Sequence, residues 1–307
     1  PSSVTSIGTS AFSCCRNMTS IILSEGIRSI GDWAFDECNS LISVIIPESI
    51  TSIGKETFAG CNNLISVSLP NTITCIGEKA FARCNNLFSI KIPEKVKYIR
   101  LDAFKDCFHL AEIYDLSSLS ITAGSSSNGY VGYYAKIIHR NAEEPTRIVK
   151  ENGIAYYVEG NSKIALGLLD NASTTITIVN DCTEINQYAF NNCTSLTSIT
   201  IPNSVISIGD YAFAYCDGLT SITIPDSVTK IGTHAFSYCH GLTSFTIPNS
   251  VTSIGEYVVG GCSKLTTINF GDNSKLSSIG EYAFATCGEL TSITIPDSVT
   301  KIGTHAF

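Results

Sequence analysis

The chain has 307 residues and a formal net charge of -8, and only 15% of its side chains are charged. An acidic chain without a basic stripe excludes nucleic acid as a partner, because phosphates need one. No apolar run reaches the roughly 18 residues that a membrane-spanning helix requires. Serine, threonine and asparagine supply most of the polarity, a composition typical of extracellular surfaces.

From position 1 to about 119 a phenylalanine, preceded by alanine in all but one rung, returns every 23 residues, at Phe12, Phe35, Phe58, Phe81 and Phe104. Cysteine keeps the same beat at Cys15, Cys38, Cys61, Cys84 and Cys107, and an Ile-Gly pair does so from Ile7 to Ile76. So regular a period predicts a solenoid, each repeat one rung stacked on the last. Strands are expected to begin at Met18, Leu41, Leu64, Leu87 and Leu110. The fifth carries Asp115 where an aliphatic belongs, and a carboxylate is costly to bury. The regular coil is therefore expected to end there.

Between 122 and 172 the period disappears. The stretch 124–129 reads as a flexible turn, and Tyr130, Tyr133, Tyr134, Ile137 and Ile138 then follow helical spacing. Asn152-Gly153 sits between two apolar runs, 147–150 and 154–158, and signals a tight hairpin. A third strand is expected over 163–169. The segment reads as a helix followed by a β-meander.

Periodicity returns at 174–179 and continues to Phe307, through Phe190, Phe213, Phe236, Val259 and Phe284. The rung is clearest at 219–236, L-T-S-I-T-I-P-D-S-V-T-K-I-G-T-H-A-F, which recurs letter for letter at 290–307. Ile222 and Ile224 alternate with hydroxyl residues as in a half-buried strand. Pro225 ends that strand, Gly232 supplies a turn, and Ala235, Phe236 and Cys239 are spaced for a short helical turn. Both ends of the chain fall in mid-repeat, as expected for a segment of a longer protein.

The wording I-P-x-S-V-T-x-I-G-x-x-A-F-x-x-C-x-x-L-T-S resembles the BspA-like class of leucine-rich repeats, over roughly four fifths of the chain. The resemblance implies an α/β fold: a right-handed solenoid of 23-residue rungs with a parallel sheet on its concave face. The helix-plus-meander insert interrupts it, giving array 1 (1–121), the insert (122–172) and array 2 (173–307). It also implies a secreted or cell-surface protein that binds host matrix or other cells through a protein partner. It carries no catalytic residues and no cofactor. An architectural spacer and a glycan-binding solenoid are the alternatives.

Residue by residue, an enzyme is not indicated. The five histidines (His109, His139, His234, His240 and His305) are scattered, and no catalytic or metal-binding motif accompanies them. Ten of the thirteen cysteines share one repeat column and are expected to be reduced and buried. Cys14 and Cys75 fall in polar columns and are expected to be more exposed. The outward strand column is Thr-rich in array 2 but reads Ile22, Ile45, Ser68, Lys91, Tyr114 in array 1. Exposed aliphatics in neighbouring rungs make a patch. With the tyrosines of the insert, the candidate partner-binding residues are Ile22, Ile45, Lys91, Tyr114, Tyr133, Tyr156 and Tyr157. A second column, Trp33, Tyr188, Tyr211, His234, Tyr257, Tyr282 and His305, suits either partner contact or ring-on-ring packing. Three sequons begin at Asn17, Asn171 and Asn192 and matter only in a secretory eukaryote.

Overall fold

The computed structural model describes residues 3–307; the proline and serine at positions 1 and 2, where the repeat is expected to open, lie outside them. The chain divides into two compact units, Pro1–Arg147 and Ile148–Phe307.

In the first unit each rung is bonded to the next along three lines. One is the expected parallel strand: Ser43–Ile45 lies beside Ser66–Ser68 with Val44 opposite Val67, and Ser89–Ile92 lies beside Glu112–Asp115. Alternation turns Val44 and Ile90 inward and leaves Ile45 and Lys91 outside. The second line runs through the Ile-Gly pair, which sequence reading took for a turn. Ser52–Ile53, Cys75–Ile76 and Tyr98–Ile99 stack there as a second parallel ladder. The glycine permits it, since a Cβ on Gly77 would lie 2.6 Å from the carbonyl carbon of Gly54.

The third line corrects an expectation. The Ala-Phe segment is not helical, because Trp33 and Glu37 take left-handed φ angles of 55° and 53°, which a right-handed helix does not accommodate. Alternate N–H groups instead donate to the next rung: Trp33 to Lys55 O, Phe35 to Thr57 O and Glu37 to Ala59 O, at 2.7–2.9 Å. Bonding on three sides of the rung replaces the expected helical side. Among the described residues the one helical element is a 3-10 turn, Asn128–Tyr130, so the α component of the expected α/β fold is absent.

Packing follows from the stack. Phenylalanine rings lie face to face from Phe12 to Phe104, with centroids 5.2–5.4 Å apart. The cysteines have a reason beyond size. In the first unit each buried periodic thiol donates to the phenylalanine carbonyl of the previous rung, as Cys61 Sγ does to Phe35 O at 3.3 Å and Cys107 Sγ to Phe81 O at 3.0 Å. These carbonyls also accept a backbone N–H, from Cys38 and Cys84. A leucine would fill the space without giving the second bond, the one that ties rung to rung.

All thirteen cysteines are free. Burial raises the Cys38 thiol to about 11 and those of Cys193 and Cys287 to about 12. Cys15 departs from its column and is exposed beside Cys14, while Cys75 is half-buried. Alkylation of the native protein followed by mass spectrometry should modify Cys14 and Cys15 first and Cys75 next. The nine buried periodic cysteines should react only after unfolding, and several bridged pairs among them would refute this.

The insert is where sequence and structure differ most. The helix expected over 130–138 is absent: Asn128, Gly129 and Tyr130 take left-handed φ angles of 51°, 61° and 67°, and Ile137–His139 is a strand. Instead Phe104 N donates to Gly129 O at 2.7 Å, repeating the bond of Phe81 N to Ala103 O. A Cβ on Gly129 would lie 2.4 Å from Arg100 O, so the alanine of the usual Ala-Phe step does not fit. Ile137–His139 then pairs in parallel with Glu112–Asp115. The segment 122–139 is therefore a further rung written in other residues, and the coil does not end at Asp115. That side chain is buried, and its carboxylate accepts from the N–H of Ser117 and Ile121 and from the Ser117 hydroxyl.

The meander is present in the second unit. Ile148–Glu151, Ile154–Glu159 and Ser162–Leu168 pair antiparallel, with Asn152-Gly153 at the tight turn. Ser162–Leu168 also pairs in parallel with Cys182–Ile185 and so opens the Ile-Gly ladder of this unit. The Phe190–Phe213–Phe236 column stacks at 5.1 Å. At the next rung Val259 replaces phenylalanine and Phe245 replaces the strand isoleucine. The Phe245 ring lies 5.1 Å from that of Phe236, so it reaches the space the missing ring would occupy.

Candidate functional site

The outward strand column of the first unit builds one surface from five rungs. Ile22 is 96% and Ile45 72% exposed, with Ile42 beside them at 48%. Ser68 lies opposite Ile45 in the ladder, and Lys91 opposite Tyr114. The column therefore runs from aliphatic through hydroxyl to cation and phenol. Water-exposed isoleucine in a strand gains nothing from burial, and each would gain about 1.5–3 kcal/mol if a partner covered it.

The far end of that column holds a buried polar cluster that sequence reading missed. Glu112 and His139 are both buried. His139 Nε2 lies 2.9 Å from Glu112 Oε1, and its Nδ1 lies 2.7 Å from Glu144 Oε2. The other Glu112 contacts are the Thr146 hydroxyl at 2.6 Å and the Arg147 N–H at 2.8 Å. Glu144 in turn accepts from the N–H groups of Arg140 and Asn141. A neutral imidazole has one donor, so only the doubly protonated ring serves both carboxylates. Burial pulls the His139 pKa down, but the two hydrogen bonds outweigh it and the net direction is up. The same bond holds Glu144 below the ordinary carboxylate range. Tyr114 stacks on the His139 ring at 4.5 Å, and Arg140 pairs with the buried Asp115.

The signal for this cluster was available. Glu112 and Asp115 occupy columns where other rungs have serine and isoleucine. Asp115 stands in a column that is buried in the other rungs, and a buried carboxylate demands a cationic partner. His139 and Arg140 follow 24 and 25 residues later, whereas the serine column of Glu112 faces outward in the other rungs and conceals its burial. Of the other candidates, Tyr133 is 44% exposed and meets Tyr130 and Tyr134 edge to face. Tyr156 and Tyr157 are buried in the second unit, and Tyr156 Oη accepts from Val179 N–H. Burial removes both from any contact surface.

In the second unit the aromatic column stacks ring on ring. Tyr188, Tyr211, His234, Tyr257 and Tyr282 follow one another at 4.5–5.0 Å and within 7° of parallel. Rings already covered on both faces have no face for a sugar to stack on, which weighs against glycan binding through this column. Among the described residues no group of three or more His, Cys, Asp or Glu side chains is placed to hold a metal ion. Among the same residues no helix is long and apolar enough to cross a membrane.

Several solved structures resemble the chain. A leucine-rich cell surface protein from Faecalibacterium prausnitzii is 27% identical, covering 87% of this chain and 70% of that one, with a TM-score of 0.43. A leucine-rich repeat protein from Bacteroides ovatus is also 27% identical, covering 98% and 78%, with a TM-score of 0.39. The pneumococcal vaccine antigen PcpA is 18% identical, covering 99% and 80%, with a TM-score of 0.48. Among curated proteins none matches. The BspA type leucine rich repeat region matches residues 1–122 and 172–307 in six copies. With the rungs, ladders and stacked columns above, this places the chain in the BspA-type leucine-rich repeat family.

Proposed function

We propose that this chain is a non-enzymatic protein-binding module of a secreted or cell-surface protein, serving adhesion to host matrix or to other cells. The outward strand column of the first unit is its binding face. The observation that carries this reading is the pair Ile22 and Ile45, exposed in neighbouring rungs where the second unit has threonine. Ile45 is held in water by its ladder and Ile22 lies two residues past the Ser20–Ser43 bridge, and aliphatic side chains so displayed favour contact with a partner over simple spacing. The cell-surface name of the Faecalibacterium prausnitzii relative supports the location.

The test is a pull-down of host matrix and cell-surface proteins with the whole chain, followed by affinity measurement on the partner found. Ile22→Thr with Ile45→Thr should weaken binding at least about tenfold, given two lost apolar contacts, and should leave thermal stability unchanged. Lys91→Ala and Tyr133→Ala should weaken it less. A chain that binds nothing would support the architectural spacer, and full affinity in the double isoleucine variant would move the site elsewhere.

A further inference from the structure

The turn face of the second unit differs in chemistry from that of the first, although the rungs share one backbone. In both units two turn positions, four residues apart, take left-handed φ angles. The first unit fills the leading position with Ser10, Trp33, Glu56, Lys79 and Asp102. Its face is internally neutralised, with Lys55 paired to Glu78 and Lys105 to Asp102. The coil therefore does not need aromatic rings there. The second unit nevertheless places Tyr188, Tyr211, His234, Tyr257, Tyr282 and His305 at that position, all left-handed. Bulky residues rarely accept that conformation, and Gly or Asn would fit at lower cost. The rings stack on one another there, and what the stack leaves open is a row of ring edges and polar tips.

Charge indicates what that surface takes. Of the formal net charge of -8, -7 falls on Ile148–Phe307, with 13 acidic and 6 basic side chains. None of those six falls in the turn segments that run from the glycine of each rung to its cysteine; the charged residues there are Asp210, Glu256 and Glu281. Asp210 caps the Thr233 N–H at 2.8 Å. Glu256 and Glu281 are exposed on adjacent rungs, joined by the bond from Tyr257 N to Glu281 O at 3.1 Å. Among the described residues neither is in an ion pair. Burial lowers the His234 pKa, so that ring adds no positive charge at neutral pH. Two like charges side by side without a counter-ion are unfavourable, and a cationic partner relieves them. Stacking hides the ring faces but not the edges, leaving phenol oxygens as acceptors for guanidinium or ammonium N–H groups.

We propose that the acidic, tyrosine-lined turn face of Ile148–Phe307 is a second interaction surface, and that it docks an extended polypeptide segment rich in arginine and lysine. Cationic side chains would bridge Glu256 and Glu281 and hydrogen-bond the phenol oxygens of Tyr211, Tyr257 and Tyr282. This face is separate from the strand column of the first unit, and neither reading depends on the other.

The test uses the whole chain and a fluorescein-labelled Arg-Ser repeat peptide, read by fluorescence anisotropy, with a Glu-Ser repeat as counterpart. Only the cationic peptide should bind, and raising the salt should weaken it. Glu256→Gln with Glu281→Gln should weaken binding about tenfold. Tyr211→Phe, Tyr257→Phe and Tyr282→Phe together should weaken it several-fold while keeping the stack. Glu159→Gln with Asp297→Asn makes the same charge change off the face and should have less than about a twofold effect. No binding of the cationic peptide, equal loss in the off-face variant, or full binding by the triple phenylalanine variant would each overturn the proposal.

Discussion

Phe236→Ala is expected to lower the stability of Ile148–Phe307 by about 3–5 kcal/mol. The Phe236 ring is fully buried, stacked on Phe213 at 5.1 Å and met by Phe245 from the other side at 5.1 Å. Truncation therefore removes contacts on both faces and leaves a cavity that bonded rungs cannot close. Solenoid stability is close to a sum of neighbour terms, so loosening should centre on the rungs that carry Phe213 and Phe245. Chemical denaturation would give the magnitude and hydrogen exchange the location. Equal loosening throughout Pro1–Arg147 would contradict the neighbour picture.

His139→Leu should cost the first unit a similar amount, about 3–5 kcal/mol, because it leaves the Glu112 carboxylate buried without its cation. The same contacts make the segment 140–147 sensitive to pH. The His139 pKa is raised above 6.5 in the folded chain, so its stabilisation is complete below that value and is lost as pH rises through the folded pKa. Glu144 is held below 4.5, so its share is complete above that value and is lost as pH falls through its own folded pKa. Protection of the 140–147 amides against hydrogen exchange should therefore be greatest between the two folded values and decline on both sides. Glu144→Gln keeps an acceptor without the charge and should flatten the acid limb and move the alkaline one to lower pH, because the Glu144 carboxylate is one of the groups that raise His139. Protection that did not change across the alkaline limb would rule out His139 as the charged link.

The stack, its period and the inward columns were legible because each rung repeats the same small set of constraints. Phe58, Cys61 and Ile53 are buried where their columns say they should be. What the sequence concealed was hydrogen bonding that carries no side-chain signature. The helical spacing of Ala235, Phe236 and Cys239 is also the spacing of tandem turns. Only the left-handed backbone at His234 and Tyr238 tells the two apart. The rung over 122–139 escaped notice for a related reason. Its alanine is replaced by Gly129 and its phenylalanine by Tyr130, and polar Glu112 and Asp115 hold the strand beside it. The candidate surface was half legible. Exposure of Ile22 and Ile45 follows from alternation alone, whereas the burial of Tyr156 and Tyr157 depends on which side of a meander faces the coil.

The exchange of Phe245 and Val259 bears on how the chain finds its alignment during folding. Rungs spelled alike, such as 219–236 and 290–307, are interchangeable in hydrophobic pattern, and a chain built only of them can zip together one rung out of step. Moving the ring from the turn to the strand keeps the rung's volume but makes its shape unlike its neighbours. Any slipped pairing would set Phe245 against a position already filled by a phenylalanine and leave Val259 over a void. One rung with its ring in the wrong column thus acts as an index mark, and it penalises every misalignment that includes it.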